Sequence, residues 1–94
     1  MTKPTGKNNN DIKSAPIYTS ALKLALDRAL EILGQPTKEV VLEKFEQNGI
    51  FLNEKGYYAL VDFDEIFEKL FGQDGASIVM EKLVRVLKEM GEFE

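Results

Sequence analysis

In DFDEIFEKLFGQDGASIVMEKLVRVLKEM, residues 62–90, apolar side chains recur every three or four positions on both sides of a glycine. These positions are Phe63, Ile66, Phe67, Leu70 and Phe71 before Gly72, and Val79, Met80, Leu83, Val86, Leu87 and Met90 after it. Such spacing is typical of helices with one apolar face, and a glycine after the last turn is a common helix end. Asp62 followed by Glu65 is a capping-box pattern. The stretch therefore predicts two amphipathic helices that meet at a corner.

A second corner of the same kind lies earlier in the chain. ILGQPTKEVVLEKF, residues 32–45, matches LFGQDGASIVMEKL, residues 70–83, at five of fourteen positions, with a constant offset of 38. Either an internal duplication or coincidence among helix ends accounts for this match. In both cases Gly34 and Gly72 are expected where the backbone takes a left-handed conformation after a helix.

The whole pattern predicts an all-α fold, a compact antiparallel four-helix bundle. The first two helices are expected over residues 21–33 and 38–47, because Thr19 and Ser20 precede the first and Pro36 opens the second. Residues 50–61 depart from this pattern. Aromatic and branched residues flank the turn-forming residues 53–56, which indicates either a short β-hairpin or an irregular apolar connection.

Composition changes near residue 17. Residues 1–16 contain a single branched apolar residue, Ile12, so we expect a disordered polar leader over residues 1–17 and a single helical domain over residues 18–94. The leader carries a net charge of +2 in a chain of −4, which leaves an acidic body. No apolar run is long enough to span a bilayer or to serve as a signal peptide, so a cytoplasmic location is expected.

The sequence contains neither cysteine nor histidine, so thiol nucleophiles, thiolate zinc sites and the commonest general base are missing. The acidic side chains at residues 62, 64, 65 and 68 are expected to form a solvated helix face rather than a cation site. The Gly72–Gly75 loop lacks the preceding strand and the lysine of a phosphate-binding loop. We expect no enzymatic activity, no metal and no cofactor.

Two apolar features remain as candidate contact surfaces. Tyr57 and Tyr58 are neighbours, so in an extended chain one of them faces outward, and Phe51 lies on the same segment. We call Phe51, Tyr57 and Tyr58 the aromatic edge. The second feature is the broad apolar stripe of the last helix, where Val84 is the candidate contact residue. This stripe also includes Ile78, Val79 and Val86, and either a partner or burial of the helix on more sides accounts for it.

The order of elements resembles the archaeal Nitrosopumilus output domain five family. The resemblance rests on Ile32-Leu33-Gly34, Val41-Leu42, Gly49-Ile50, Leu52, Phe63-Asp64-x-x-Phe67-x-x-Leu70-Phe71-Gly72 and Gly75-Ala76, followed by an amphipathic helix, over about residues 20–90. It implies a small domain that occurs alone or as a signalling output, with helices in a saposin-like arrangement. It implies no catalytic residues. The polar leader and residues 57–61 depart from the family pattern.

These observations favour a non-enzymatic interaction or signalling-output module that binds another protein or itself. One alternative is a saposin-like protein that binds lipid or a membrane surface, which the acidic body and the missing disulfides disfavour. A second alternative is weak nucleic-acid binding through the basic leader, which the same acidic body disfavours.

Overall fold

The computed structural model describes residues 13–92. Two short strands and three α-helices follow one another: β1 (Ile17–Tyr18), α1 (Thr19–Ala29), α2 (Gln35–Gln47), β2 (Tyr57–Tyr58) and α3 (Val61–Glu89). A 3-10 turn at Glu31–Leu33 connects α1 to α2. Over the described residues the fold is a compact, mostly helical globule of three helices with a small two-stranded sheet. The predicted compact helical character is confirmed, whereas the predicted count of four helices is wrong.

The count differs because the predicted third and fourth helices are joined in α3. Gly72 has φ 77° and ψ 173°, so the helical backbone is interrupted at this residue, yet helix continues on both sides of it. Gly34 has a closely similar conformation, with φ 92° and ψ 163°. The prediction that both glycines take a positive φ is confirmed. The two similar stretches of sequence thus share the backbone geometry of their glycine corners.

The ends of two helices differ from the sequence prediction. Helix α1 ends at Ala29 rather than at residue 33, and Leu33 is 44% exposed at the end of the 3-10 turn. Helix α3 begins at Val61, so Asp62 is not its N-cap. The carboxylate of Asp62 instead accepts a hydrogen bond from the backbone N–H of Ala59 at 3.3 Å.

The sheet joins two segments that are far apart in sequence. Ile17 pairs with Tyr58 and Tyr18 with Tyr57 in antiparallel register, and the N–H of Thr19 donates to the carbonyl of Gly56 at 2.9 Å. The hairpin considered for residues 50–61 is therefore absent, because Tyr57–Tyr58 pairs with β1 rather than with residues 50–52. The N–H of Ile50 is already used at the end of α2, where it donates to the carbonyl of Phe45 at 2.9 Å.

Strand β1 overlaps the last residue of the predicted leader, Ile17. Residues 1–12 lie outside the described residues, but Ile17 is 3% exposed within the core. Lys13 forms an ion pair with Asp64 of α3, with 3.0 Å between Nζ and Oδ2. Lys13 and Ile17 therefore contact the rest of the domain, Lys13 through this ion pair and Ile17 through the core and its pairing with Tyr58.

Three phenylalanine rings form the centre of the core. Phe45 from α2 lies 4.6 Å from Phe63 and 5.7 Å from Phe67 of α3, measured between ring centroids. All three side chains are fully buried. Helix α1 packs mainly on α3 and contributes Leu22, Ala25 and Leu26 to the same core. This arrangement leaves one side of α1 and one side of α2 facing a shared groove.

Candidate functional site

A concave surface of about 510 Å³ lies between α1, α2 and the loop that follows residue 51. We call it the α1–α2 groove. Its apolar lining is Leu24, Leu26, Leu30, Leu42 and Leu52, its charged lining is Lys23, Asp27, Lys38, Glu54 and Lys55, and Tyr18, Thr19, Ser20 and Asn53 complete it. A mostly apolar hollow with a few polar groups at its rim is the usual form of a binding site.

Helix α1 presents one exposed leucine to the groove on an otherwise polar face. Ser20, Lys23, Leu24 and Asp27 line the groove and follow the spacing of one helix face. Leu24 is 47% exposed between two charged neighbours on this face. The core positions of α1 lie elsewhere on the helix, so burial within the domain does not account for a leucine at this position.

Two polar contacts cross between the elements that line the groove. Lys38 of α2 forms an ion pair with Asp27 of α1, with 2.9 Å between Nζ and Oδ1. Lys23 of α1 donates from Nζ to Oδ1 of Asn53 at 2.6 Å. These contacts hold α2 and the residue 53 loop beside α1. The Lys38 charge is paired in this way, whereas Lys23 contacts a neutral amide.

The structure brings two residues of the predicted aromatic edge, Phe51 and Tyr58, into contact. Tyr58 accepts a hydrogen bond at its hydroxyl from the N–H of Phe51 at 3.1 Å, and this hydroxyl lies 3.5 Å from the carbonyl oxygen of Gly49. Phe51 is 39% exposed and Tyr57 is 66% exposed, whereas Tyr58 is partly buried against the core. Tyr57 is therefore the outward residue of the tyrosine pair.

The aromatic edge is continuous with the α1–α2 groove through Tyr18. The ring of Tyr57 lies 5.3 Å from the ring of Tyr18 between centroids, at an interplanar angle of 66°. Tyr18 lines the groove, and so does Leu52, which follows Phe51. One surface therefore runs from an exposed tyrosine into a leucine-lined groove.

The fourth predicted contact residue, Val84, lies apart from this surface. It is partly buried against the core and lines a separate hollow of about 570 Å³, together with Lys13, Asp64, Ile78, Arg85 and Lys88 among others. Val79 is buried and Val86 also packs against the core, while Ile78 is 61% exposed. Of the broad apolar stripe on this part of α3, Ile78 alone is largely exposed, so burial accounts for most of it.

The acidic side chains at the start of α3 do not converge. Asp62, Glu65 and Glu68 are exposed, and Asp64 is paired with Lys13. Among residues 13–92 no group of three or more acidic side chains could hold a metal ion. Of the two hollows described above, the α1–α2 groove has the more apolar lining.

Sequence reasoning missed Tyr18, Lys23 and Leu24. Tyr18 follows directly on the predicted leader, and its role depends on a strand pairing that the sequence does not reveal. The exposure of Leu24 could have been predicted, because it is the one leucine of residues 21–30 that does not follow the three- and four-residue spacing of the core positions.

Comparisons with protein-family models, with characterised protein sequences and with solved structures found no match to this chain. The resemblance to the archaeal output domain family, with its saposin-like arrangement of helices, therefore stays a prediction. In the part of the chain that the structure describes, every helix is too short or too polar to cross a membrane.

Proposed function

We propose that this chain is a non-enzymatic interaction module that binds another protein through the α1–α2 groove and the adjoining ring of Tyr57. The observation that carries the proposal is the contact between Tyr57 and Tyr18, which joins an exposed aromatic side chain to the apolar groove. A role as a signalling output, which the resemblance to the archaeal family implies, is part of the same proposal.

The domain itself leaves apolar side chains exposed that a partner could cover. Leu24 is 47% exposed and Tyr57 is 66% exposed. Burying a fully exposed leucine is worth about 1.5–3 kcal/mol, so covering the exposed half of Leu24 contributes about half of this, and tyrosine is enriched among the residues that dominate protein interfaces. A partner that covers both side chains would gain from each of them.

The groove also has supports that do not depend on the partner. The ion pair between Lys38 and Asp27 and the hydrogen bond between Lys23 and Asn53 connect its walls. A groove formed before binding loses less conformational freedom when it binds, which favours affinity.

The experiment is a selection of peptides from a random displayed library against the full chain. We expect enriched peptides to bind the wild-type protein and to lose binding to Leu24→Asp by about tenfold or more, since a buried unpaired charge is costly. The matched control is Ile78→Asp, which places the same charge at an exposed apolar position outside the groove and should leave binding unchanged.

Peptides that bind Leu24→Asp as well as they bind the wild type would contradict the proposal. Light scattering of the free chain identifies self-association as a special case, in which a second copy occupies the groove. In that case Leu24→Asp should shift the chain to a monomer and Ile78→Asp should not.

A further inference from the structure

We infer that the segment bound in the α1–α2 groove is a short amphipathic helix whose polar side carries acidic residues. This inference rests on the proposed function and adds the chemistry of the partner. It follows from the length of the groove, the composition of its floor and the charges at its rim.

The length of the groove matches about three helical turns. Its lining includes residues from Tyr18 to Leu30, which span all of α1. Helix α1 has 11 residues, which corresponds to a length of about 16 Å. An occupant of similar length would place two or three apolar side chains, three or four residues apart, on the groove floor.

The floor offers contacts along this length. Leu24 and Leu42, from α1 and α2, are both at least partly exposed beside the buried side chains of Leu26 and Leu30. Leucines on two adjacent helices form an apolar channel, which suits the apolar stripe of a third helix.

The charges at the rim favour an acidic partner. Three lysines and two carboxylates line the groove, whereas the whole chain has 12 basic and 16 acidic residues. The pair of Lys38 and Asp27 is satisfied internally. Lys23 contacts only the amide of Asn53, and Lys55 has no ion pair or hydrogen bond to any of residues 13–92.

Lys23 and Lys55 therefore place two positive charges near Asn53. Of the two carboxylates in the groove lining, Asp27 is paired with Lys38, so Glu54 is the one that offsets these charges. A carboxylate on the partner would pair with these lysines, while a lysine at the same place would face two like charges. Complementary charge at the rim acts on partner choice and on orientation more than on raw affinity.

The test uses the full chain and three synthetic peptides of about eleven residues, or three turns. The first has leucines on one helix face and glutamates on the other. The second replaces every glutamate with lysine, and the third has the composition of the first in a scrambled order that removes the apolar face. Fluorescence anisotropy measures each dissociation constant, and backbone chemical shifts locate the bound peptide.

We expect the acidic amphipathic peptide to bind at least about tenfold more tightly than the other two, with shifts at Leu24 and Leu42. The double variant Lys23→Glu/Lys55→Glu should reverse the preference in favour of the lysine peptide. Lys69→Glu, which changes the same charge at an exposed position of α3 outside the groove, should leave the preference unchanged. All three lysines are exposed, so these variants are expected to fold.

The outcomes separate this inference from the proposed function. If the lysine peptide binds the wild-type groove as tightly as the acidic one, or if the double variant keeps the wild-type preference, the inference is overturned while the groove remains a protein-binding site. If neither these peptides nor the library peptides depend on Leu24, both fail. The wild type is also floated with vesicles of neutral or anionic lipid. If the wild type floats with the vesicles and Leu24→Asp does not, the groove binds a lipid surface and the inference is overturned.

Discussion

The hydroxyl of Tyr58 lies 3.1 Å from the backbone nitrogen of Phe51 and connects strand β2 to the segment that follows α2. This contact fixes the start of the loop whose residues 52–55 line the α1–α2 groove. The side chain of Tyr58 thus acts on the groove from outside it, by holding one of its walls.

Tyr58→Phe should loosen this wall. The variant leaves the N–H of Phe51 without its partner, at an expected cost of about 0.5–1.5 kcal/mol in the free energy of unfolding. Denaturant unfolding measures this cost, and hydrogen exchange should show faster exchange of the Phe51 amide. The matched control is Tyr57→Phe, because the Tyr57 hydroxyl makes no hydrogen bond within residues 13–92. Equal exchange rates of the Phe51 amide in the two variants would contradict the role of Tyr58.

Phe63→Ala should remove the centre of the core. The Phe63 ring is fully buried and contacts Phe45 and Phe67. Truncation of a buried phenylalanine typically costs about 3–5 kcal/mol, which is a large part of the stability of a domain of this size. Thermal unfolding followed by circular dichroism measures the loss. Val61→Ala, at a position 51% exposed, provides the control and should change stability by less than about 0.5 kcal/mol.

Gly75→Ala should be destabilising although alanine favours helix. A Cβ at residue 75 would lie 2.8 Å from the Cβ of Phe71, an atom close to the backbone that cannot easily move. Alanine gains about 1 kcal/mol in helix propensity, but overpacking of this kind costs about 1–3 kcal/mol, so the steric cost prevails. A midpoint of denaturation at or above that of the wild type would show that the helix yields at this contact. For comparison, a Cβ at Gly56 meets nothing within 4 Å, so Gly56→Ala should be close to neutral.

Truncation tests the start of the folded domain. A chain that begins at residue 18 loses the Ile17 side chain, half of β1 and the ion pair of Lys13 with Asp64. Loss of a buried isoleucine alone costs about 2–5 kcal/mol, so we expect clear destabilisation by denaturant unfolding. A chain that begins at residue 13 keeps Ile17, the whole of β1 and the ion pair of Lys13 with Asp64, and should be more stable than the chain that begins at residue 18. If both truncated chains unfold at the same denaturant concentration, β1 contributes nothing to stability.

The helical part of the fold was largely predictable because it depends on local spacing. The apolar repeat of residues 63–71 and 79–90 and the positive φ of Gly34 and Gly72 follow from rules that act within one or two turns. The number of helices was not predictable from the sequence. A glycine with positive φ interrupts a helix, but its presence does not determine whether helix resumes directly after it. The strand β1 was missed because two residues beside a polar stretch carry no periodic signal, and their partner lies beyond two helices.

The candidate site was predictable only at its aromatic edge. Clustered aromatic residues at 51, 57 and 58 are visible in the sequence, and the structure places Phe51 against Tyr58. The groove itself depends on how α1, α2 and the residue 53 loop pack, and this information is tertiary. Val84 was predicted as a contact residue because the apolar stripe of the last helix is broad, but most residues of this stripe pack against the core.

The pairing of β1 with β2 has a consequence for the order in which the chain folds. Both α1 and α2 lie between these strands in sequence, so the pairing closes a long loop, which carries an entropic cost that nearby contacts avoid. We therefore expect the helices to collapse first and the two strands to meet late. Early in refolding, the tyrosines would then remain open to solvent after the phenylalanine core has already formed.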